Sequence, residues 1–178
     1  VAFVLGALYS HLSVDYLSPR TFAMRPRLWL KIISDNKGTV SSSPPTGYAL
    51  CATRLREADQ QRYDLSSWRV ACVGAERIHP EQLRRFAKLL EPVGFNPDAF
   101  VACYGMAECG LGISFAPLGK GVFVDRVNKN LMIETGRAEP ADEDSLALVD
   151  CGAPLPSYET NVCDEAGTPL PERQCGRI

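Results

Sequence analysis

Up to about residue 116 the chain alternates short apolar runs of strand length with amphipathic runs of helix length, and this alternation most restricts the fold. Trp68-Arg69-Val70-Ala71-Cys72-Val73 is an apolar strand that stops at Gly74, and Phe100-Val101-Ala102-Cys103 is another that runs into a turn. Between them, His79-Pro80-Glu81 opens a helix whose Leu83, Phe86, Ala87 and Leu90 share one face. Upstream, Ser18-Pro19 reads as an N-cap followed by a first-turn proline. Pro26 opens an amphipathic stretch with Leu28, Trp29, Ile32 and Ile33 on one face. Residues 13–17 read as a short strand and residues 38–42 as the next, and Pro44-Pro45 leads into a helix around Tyr48. Strands and helices in this order predict an α/β fold with a mostly parallel sheet and flanking helices.

The character changes after Gly119-Lys120-Gly121. Residues 122–127 and 146–149 read as strands, residues 134–145 as an acidic exposed loop, and residues 158–163 with Asp164-Glu165-Ala166-Gly167 as a hairpin. The expected division is 1–118, an α/β part; 119–145, an inserted segment with the acidic loop; and 146–178, the start of a smaller β subdomain. Both ends read as cut, as in an internal piece of a longer protein.

Composition excludes several classes. A formal net charge of −2 gives no broad attraction to nucleic acid. No run approaches the roughly 20 apolar residues of a membrane span, and residues 1–9 lack the pattern of a signal peptide. The seven cysteines are odd in number and contain no CxxC, which fits reduced thiols in a cytoplasmic protein better than a disulfide scaffold or zinc site. His11 and His79 are isolated, and Gly119-Lys120-Gly121 lacks the residues of a phosphate loop. Arg20, Arg25, Arg27 and Lys31 could face an acidic lipid or carrier protein, although a solvated helix face is the commoner explanation.

In parallel sheets ligands bind beyond the carboxyl ends of the strands. That singles out two turns, Gly74-Ala75-Glu76 and Tyr104-Gly105-Met106-Ala107-Glu108. Glycine lets backbone approach a ligand, Tyr offers a flat face to a purine, and Glu offers a hard oxygen to Mg²⁺.

Tyr104-Gly105-Met106-Ala107-Glu108 resembles the signature of the adenylate-forming superfamily, and Gly74-Ala75-Glu76 is similar to its second adenine-lining turn. Over essentially the whole chain the closer resemblance is to fatty acyl-AMP ligases. It is carried by Arg25-Pro26-Arg27-Leu28-Trp29-Leu30, Ser66-Ser67-Trp68-Arg69-Val70-Ala71, Ser114-Phe115-Ala116-Pro117-Leu118-Gly119 and Cys151-Gly152-Ala153-Pro154. The resemblance implies a nucleotide site of Gly74, Ala75, Glu76, Tyr104, Gly105, Met106 and Ala107. It makes Glu108 the Mg²⁺ anchor and catalytic group, and assigns Ser43, Pro44, Thr46 and Cys103 to the acyl pocket. It implies ATP and Mg²⁺ as cofactors, a fatty acid as substrate and the phosphopantetheine thiol of an acyl carrier protein as acceptor. An acyl-CoA synthetase and a catalytically inactive binding or scaffold relative are the alternatives.

Two positions depart from the resemblance: Thr46 stands where relatives usually carry an aromatic residue, and Gly110 where they often carry Thr. The phosphate loop expected upstream, and the ribose-binding Asp and C-terminal lysine expected downstream, lie outside these 178 residues, so the piece alone is expected to be inactive.

Overall fold

The computed structural model describes residues 2–56, 62–142, 145–156 and 158–178. Seven strands are formed among them. β1 (Val40–Ser43), β2 (Val70–Val73), β3 (Phe100–Met106), β4 (Leu111–Phe115) and β7 (Ala153–Pro154) make one sheet in that order. β5 (Val124–Asn128) and β6 (Ser145–Val149) make a separate antiparallel pair. The pairings β1–β2 and β2–β3 are parallel, as the alternation requires, whereas β4 and β7 add in antiparallel sense, so the sheet is mixed.

The helices are α1 (Ala2–Tyr9), α2 (Pro19–Met24), α3 (Arg27–Asp35), α4 (Pro45–Arg54), α5 (Pro80–Leu90) and α6 (Lys129–Thr135). Their ends follow local chemistry. The Ser18 hydroxyl accepts from the Thr21 amide at 3.1 Å, capping α2, and prolines occupy the first turns of α2, α4 and α5. Among the described residues, no helix is long and apolar enough to cross a membrane.

The core is aromatic. Trp29, Tyr48, Trp68, Phe86, Phe95 and Phe100 interlock, mostly edge to face, with ring centroids such as Trp29–Tyr48 at 5.1 Å and Trp68–Phe95 at 5.0 Å. Their polar atoms are all engaged. The Tyr48 hydroxyl donates to the Cys72 carbonyl at 2.9 Å, Trp68 Nε1 to the Val70 carbonyl at 2.9 Å and Trp29 Nε1 to Ser41 Oγ at 2.8 Å. The Tyr48 and Trp29 bonds tie the helical layer to β2 and β1.

Four expectations are corrected. Residues 13–17 form no strand; among the described residues they have no strand partner, and Asp15 instead accepts from Asn36 Nδ2 at 2.8 Å. On α3 the buried face is Trp29, Leu30 and Ile33, with Leu28 and Ile32 only half-buried. Tyr104, Gly105 and Met106 are not a turn but continue β3, because β4 pairs with them after β2 has ended. The acidic loop is shorter than 134–145. Glu134 and Thr135 close α6, which Asn128 caps at 3.0 Å and Gly136 ends at φ 72°, and Ser145 opens β6. Residues 143 and 144 lie outside the described residues.

The hairpin expected after residue 158 is present at its turn. The Asp164 amide donates to the Thr168 carbonyl at 2.9 Å, and Cys163 bridges Pro169.

A cleft at the ends of β2 and β3

β2 stops at Val73, opposite Ala102, while β3 runs on to Met106. The overhanging part of β3 and the turn after β2 therefore face a common space, a cleft of about 440 Å³. One wall is residues 75–78, the second residues 103–105, and the third residues 147–149 of β6 with Cys151.

The first two walls touch. A Cβ placed on Gly74 would stand 2.4 Å from the Cys103 carbonyl oxygen and 2.8 Å from Cys103 Sγ, so only glycine lets the two strand ends approach this closely. Ala75, next in the turn, holds a left-handed φ of 66°. For a residue with a Cβ that conformation costs roughly 1–2 kcal/mol, and such strain concentrates at functional sites. On the other wall the β3–β4 register shifts between Tyr104 and Gly105, an irregularity of the kind that re-aims a side chain beside a site. Tyr104 is 36% exposed and lines the cleft, together with Ala75 and Glu76.

Not every expected residue reaches this space. Met106, Ala107 and Glu108 lie outside the cleft lining. Ala107–Cys109 is a 3-10 turn beyond β3, and Glu108 is exposed on it. The Tyr158 hydroxyl donates to the Cys109 carbonyl, which pins that turn from the far end of the chain. Gly110 follows with φ 69°, a conformation a Thr would hold only under strain, so the local backbone accounts for this departure.

Ser43, Pro44 and Thr46 sit at the end of β1 and the start of α4, one step from the cleft. Their link to it is Glu76, whose carboxylate accepts from the Thr46 amide at 3.3 Å and from Thr46 Oγ1 at 3.2 Å. Glu76 thus occupies the first turn of α4 as a cap supplied by another loop, where a negative charge is favourable.

Cys103 lines the cleft with its thiol held in the protonated form. Burial pushes its thiol up to about 11, with Cys72 nearby adding to the effect. It also lies 3.4 Å from the Val73 carbonyl, to which it donates. Among the described residues, no group of three or more His, Cys, Asp or Glu is placed to hold a metal ion. Glu108 offers one exposed carboxylate, which fits Mg²⁺ only if nucleotide phosphates and water supply the remaining ligands, the usual arrangement for that ion.

Sequence reasoning missed Arg77, Ile78, residues 147–149, Cys151 and Tyr158. Arg77 and Ile78 directly follow the turn that glycine marks, a signal that was available. The others come from segments about 40 to 50 residues after β3, and nothing in their local pattern points to the cleft.

With this geometry in place, comparison with known proteins is informative. The profile of the AMP-binding enzyme family matches residues 1–178. A Caulobacter vibrioides protein assigned by name to the acyl-CoA synthetases is 39% identical over 181 residues, covering 100% of this chain and 32% of its own length. A medium-chain-fatty-acid–[acyl-carrier-protein] ligase of Moorena producens is 32% identical, covering 97% of this chain and 29% of its own. A solved fatty acyl-adenylate ligase, of the E. coli and L. pneumophila enzymes, superposes with a TM-score of 0.95 at 45% identity, over 98% of this chain and 32% of that one. The chain therefore spans about a third of the length of these relatives. Its profile match over every residue and its agreement with that solved ligase place the chain in the AMP-binding enzyme family.

Proposed function

We propose that the protein to which this chain belongs activates a fatty acid as its acyl-adenylate and passes the acyl group to an acyl carrier protein thiol. The observation that carries this reading is the cleft itself: Tyr104 on overhanging β3 and Ala75-Glu76, in the turn that Gly74 opens, line one space of about 440 Å³ at the strand ends. A flat aromatic face opposite a tight glycine turn suits a purine ring. The volume lies in the range of small-molecule sites.

In the reaction a carboxylate oxygen attacks the α-phosphorus of ATP, the acyl-phosphate bond forms and pyrophosphate leaves. The thiol then displaces AMP from the acyl carbon. In this chain Tyr104 and the 74–76 turn would hold and orient the base, and the raised Cys103 thiol would leave the wall chemically inert toward the acyl-adenylate. When bound through Glu108, Mg²⁺ would offset the charge that develops on phosphate. The carrier thiol as acceptor is supported by the name of the Moorena relative. Ser43, Pro44 and Thr46 would border the acyl path, next to Glu76.

The test is ATP–pyrophosphate exchange by the full-length protein with fatty acids of different lengths. Fatty-acid-dependent exchange that falls at least roughly tenfold in Glu108→Ala is expected. Exchange that does not depend on fatty acid rejects the substrate class, and unchanged exchange in Glu108→Ala removes that residue from the site.

A further inference from the structure

Of the described residues that line the cleft at the ends of β2 and β3, two carry a formal charge, Glu76 and Arg77. The Glu76 carboxylate is engaged, since it accepts from both the amide and the hydroxyl of Thr46. Arg77 is exposed, and its side chain makes no hydrogen bond or ion pair with any described residue. The next acid along the chain is committed too: Glu81 pairs with Arg84 on α5. The two carboxylates nearest to Arg77 in sequence therefore both serve other groups.

The backbone that carries Arg77 is held on both sides. Gly74 lies against the Cys103 carbonyl, where no Cβ fits. Ile78 is 7% exposed and belongs to the aromatic core. Between these anchors Ala75 keeps its left-handed φ of 66°. The side chain of Arg77 thus starts from a fixed point on the cleft wall and stays free to adapt to what enters.

The rest of the described lining says what such a ligand part would be. Ile78, Ala147, Leu148 and Val149 are apolar, Tyr104 is aromatic, and Cys103 and Cys151 are protonated thiols. One cation among apolar and aromatic walls suits a flat, electron-rich ring. A polyphosphate would call for several cations or a row of backbone amides. The guanidinium group is planar and weakly hydrated, and it stacks on aromatic faces, nucleic-acid bases included. The attraction of a cation to a ring grows as water is excluded.

We infer that Arg77 is a base-binding residue: its guanidinium lies on the face of the purine, which Arg77 and Tyr104 hold from two walls of the cleft. This rests on the reading of the cleft as an ATP site and adds a residue that the glycine turn and Tyr104 do not supply. Recognition through a ring face depends on the plane of the guanidinium, so lysine does not replace it.

The test uses the full-length protein and three variants, Arg77→Ser, Arg77→Lys and Arg85→Ser. Arg85 is exposed on α5 outside the cleft lining, so its loss changes net charge equally. Fatty-acid-dependent ATP–pyrophosphate exchange gives KM for ATP. Equilibrium binding of adenosine, which has the base without phosphate, gives the second readout. Arg77→Ser is expected to weaken ATP and adenosine alike, by roughly fivefold or more, with kcat less affected. Arg77→Lys should recover less than half of that loss, and Arg85→Ser should match the native protein. Native exchange with Arg77→Ser unchanged overturns this inference and leaves the ligase reading standing. Weaker ATP with adenosine unchanged, or full recovery in Arg77→Lys, gives Arg77 to a phosphate and overturns the contact with the base. A native protein without fatty-acid-dependent exchange rejects the ligase reading, and this inference with it.

Discussion

The Thr46 hydroxyl and amide both donate to the Glu76 carboxylate, at 3.2 and 3.3 Å, across 30 residues of sequence. Glu76 lines the cleft at the ends of β2 and β3, and Thr46 opens the helix that follows β1. One carboxylate thus connects the segment expected to border the acyl chain with the turn expected to hold adenine.

Thr46→Val keeps the shape of the side chain and removes the hydroxyl donor. A rise of roughly threefold to tenfold in KM for ATP is expected, with kcat less affected, and Thr46→Ser should restore the native value. Steady-state exchange kinetics on the full-length protein check this. A change confined to the fatty-acid KM would show that Thr46 touches only the acyl path.

Gly74→Ala puts a methyl against the Cys103 carbonyl, so the ends of β2 and β3 must separate. A loss of about 1–3 kcal/mol is expected, the usual range for forcing an extra carbon into a packed site. Urea unfolding followed by fluorescence of the buried Trp29 and Trp68 should show the midpoint falling with the slope unchanged.

Tyr158→Phe removes the hydroxyl that holds the Cys109 carbonyl. Faster hydrogen exchange at the amides of residues 107–110 is expected, with a stability loss of about 1 kcal/mol. Exchange activity should fall a few-fold if Glu108 needs that turn held in place. Unchanged amide protection would show that the turn stands by itself.

The thiols divide by burial. Burial lifts Cys51 from 9.0 to about 12 and Cys103 to about 11, and raises Cys72 and Cys151, while Cys175 is exposed. Alkylation at pH 8, read by mass spectrometry, should modify Cys175 first and Cys51 last. A thiol raised in the folded state holds its proton more tightly there than in the unfolded chain. Its contribution to stability is therefore complete below pH 9 and is lost as pH rises towards 12. Replacing Cys51 with Ala should flatten that decline in an unfolding series from pH 8 to 11.

Much of the fold is written in local pattern. Ser18 and the prolines at the helix starts, the face of Leu83, Phe86, Ala87 and Leu90, and the apolar runs of β2 and β3 each rest on residues within a turn or two of one another. Secondary structure depends on just such neighbours, so these elements and the glycine-marked turn after β2 could be read without coordinates. Tertiary packing decided the rest. β4 pairing with β3 turned an expected loop into strand and moved Glu108 beyond the cleft. Residues 147–149 and Cys151 supplied a wall, and Tyr158 reached Cys109 across 49 residues. A contact over that separation leaves no periodic trace in either segment, because it depends on how completed strands and helices fill space together.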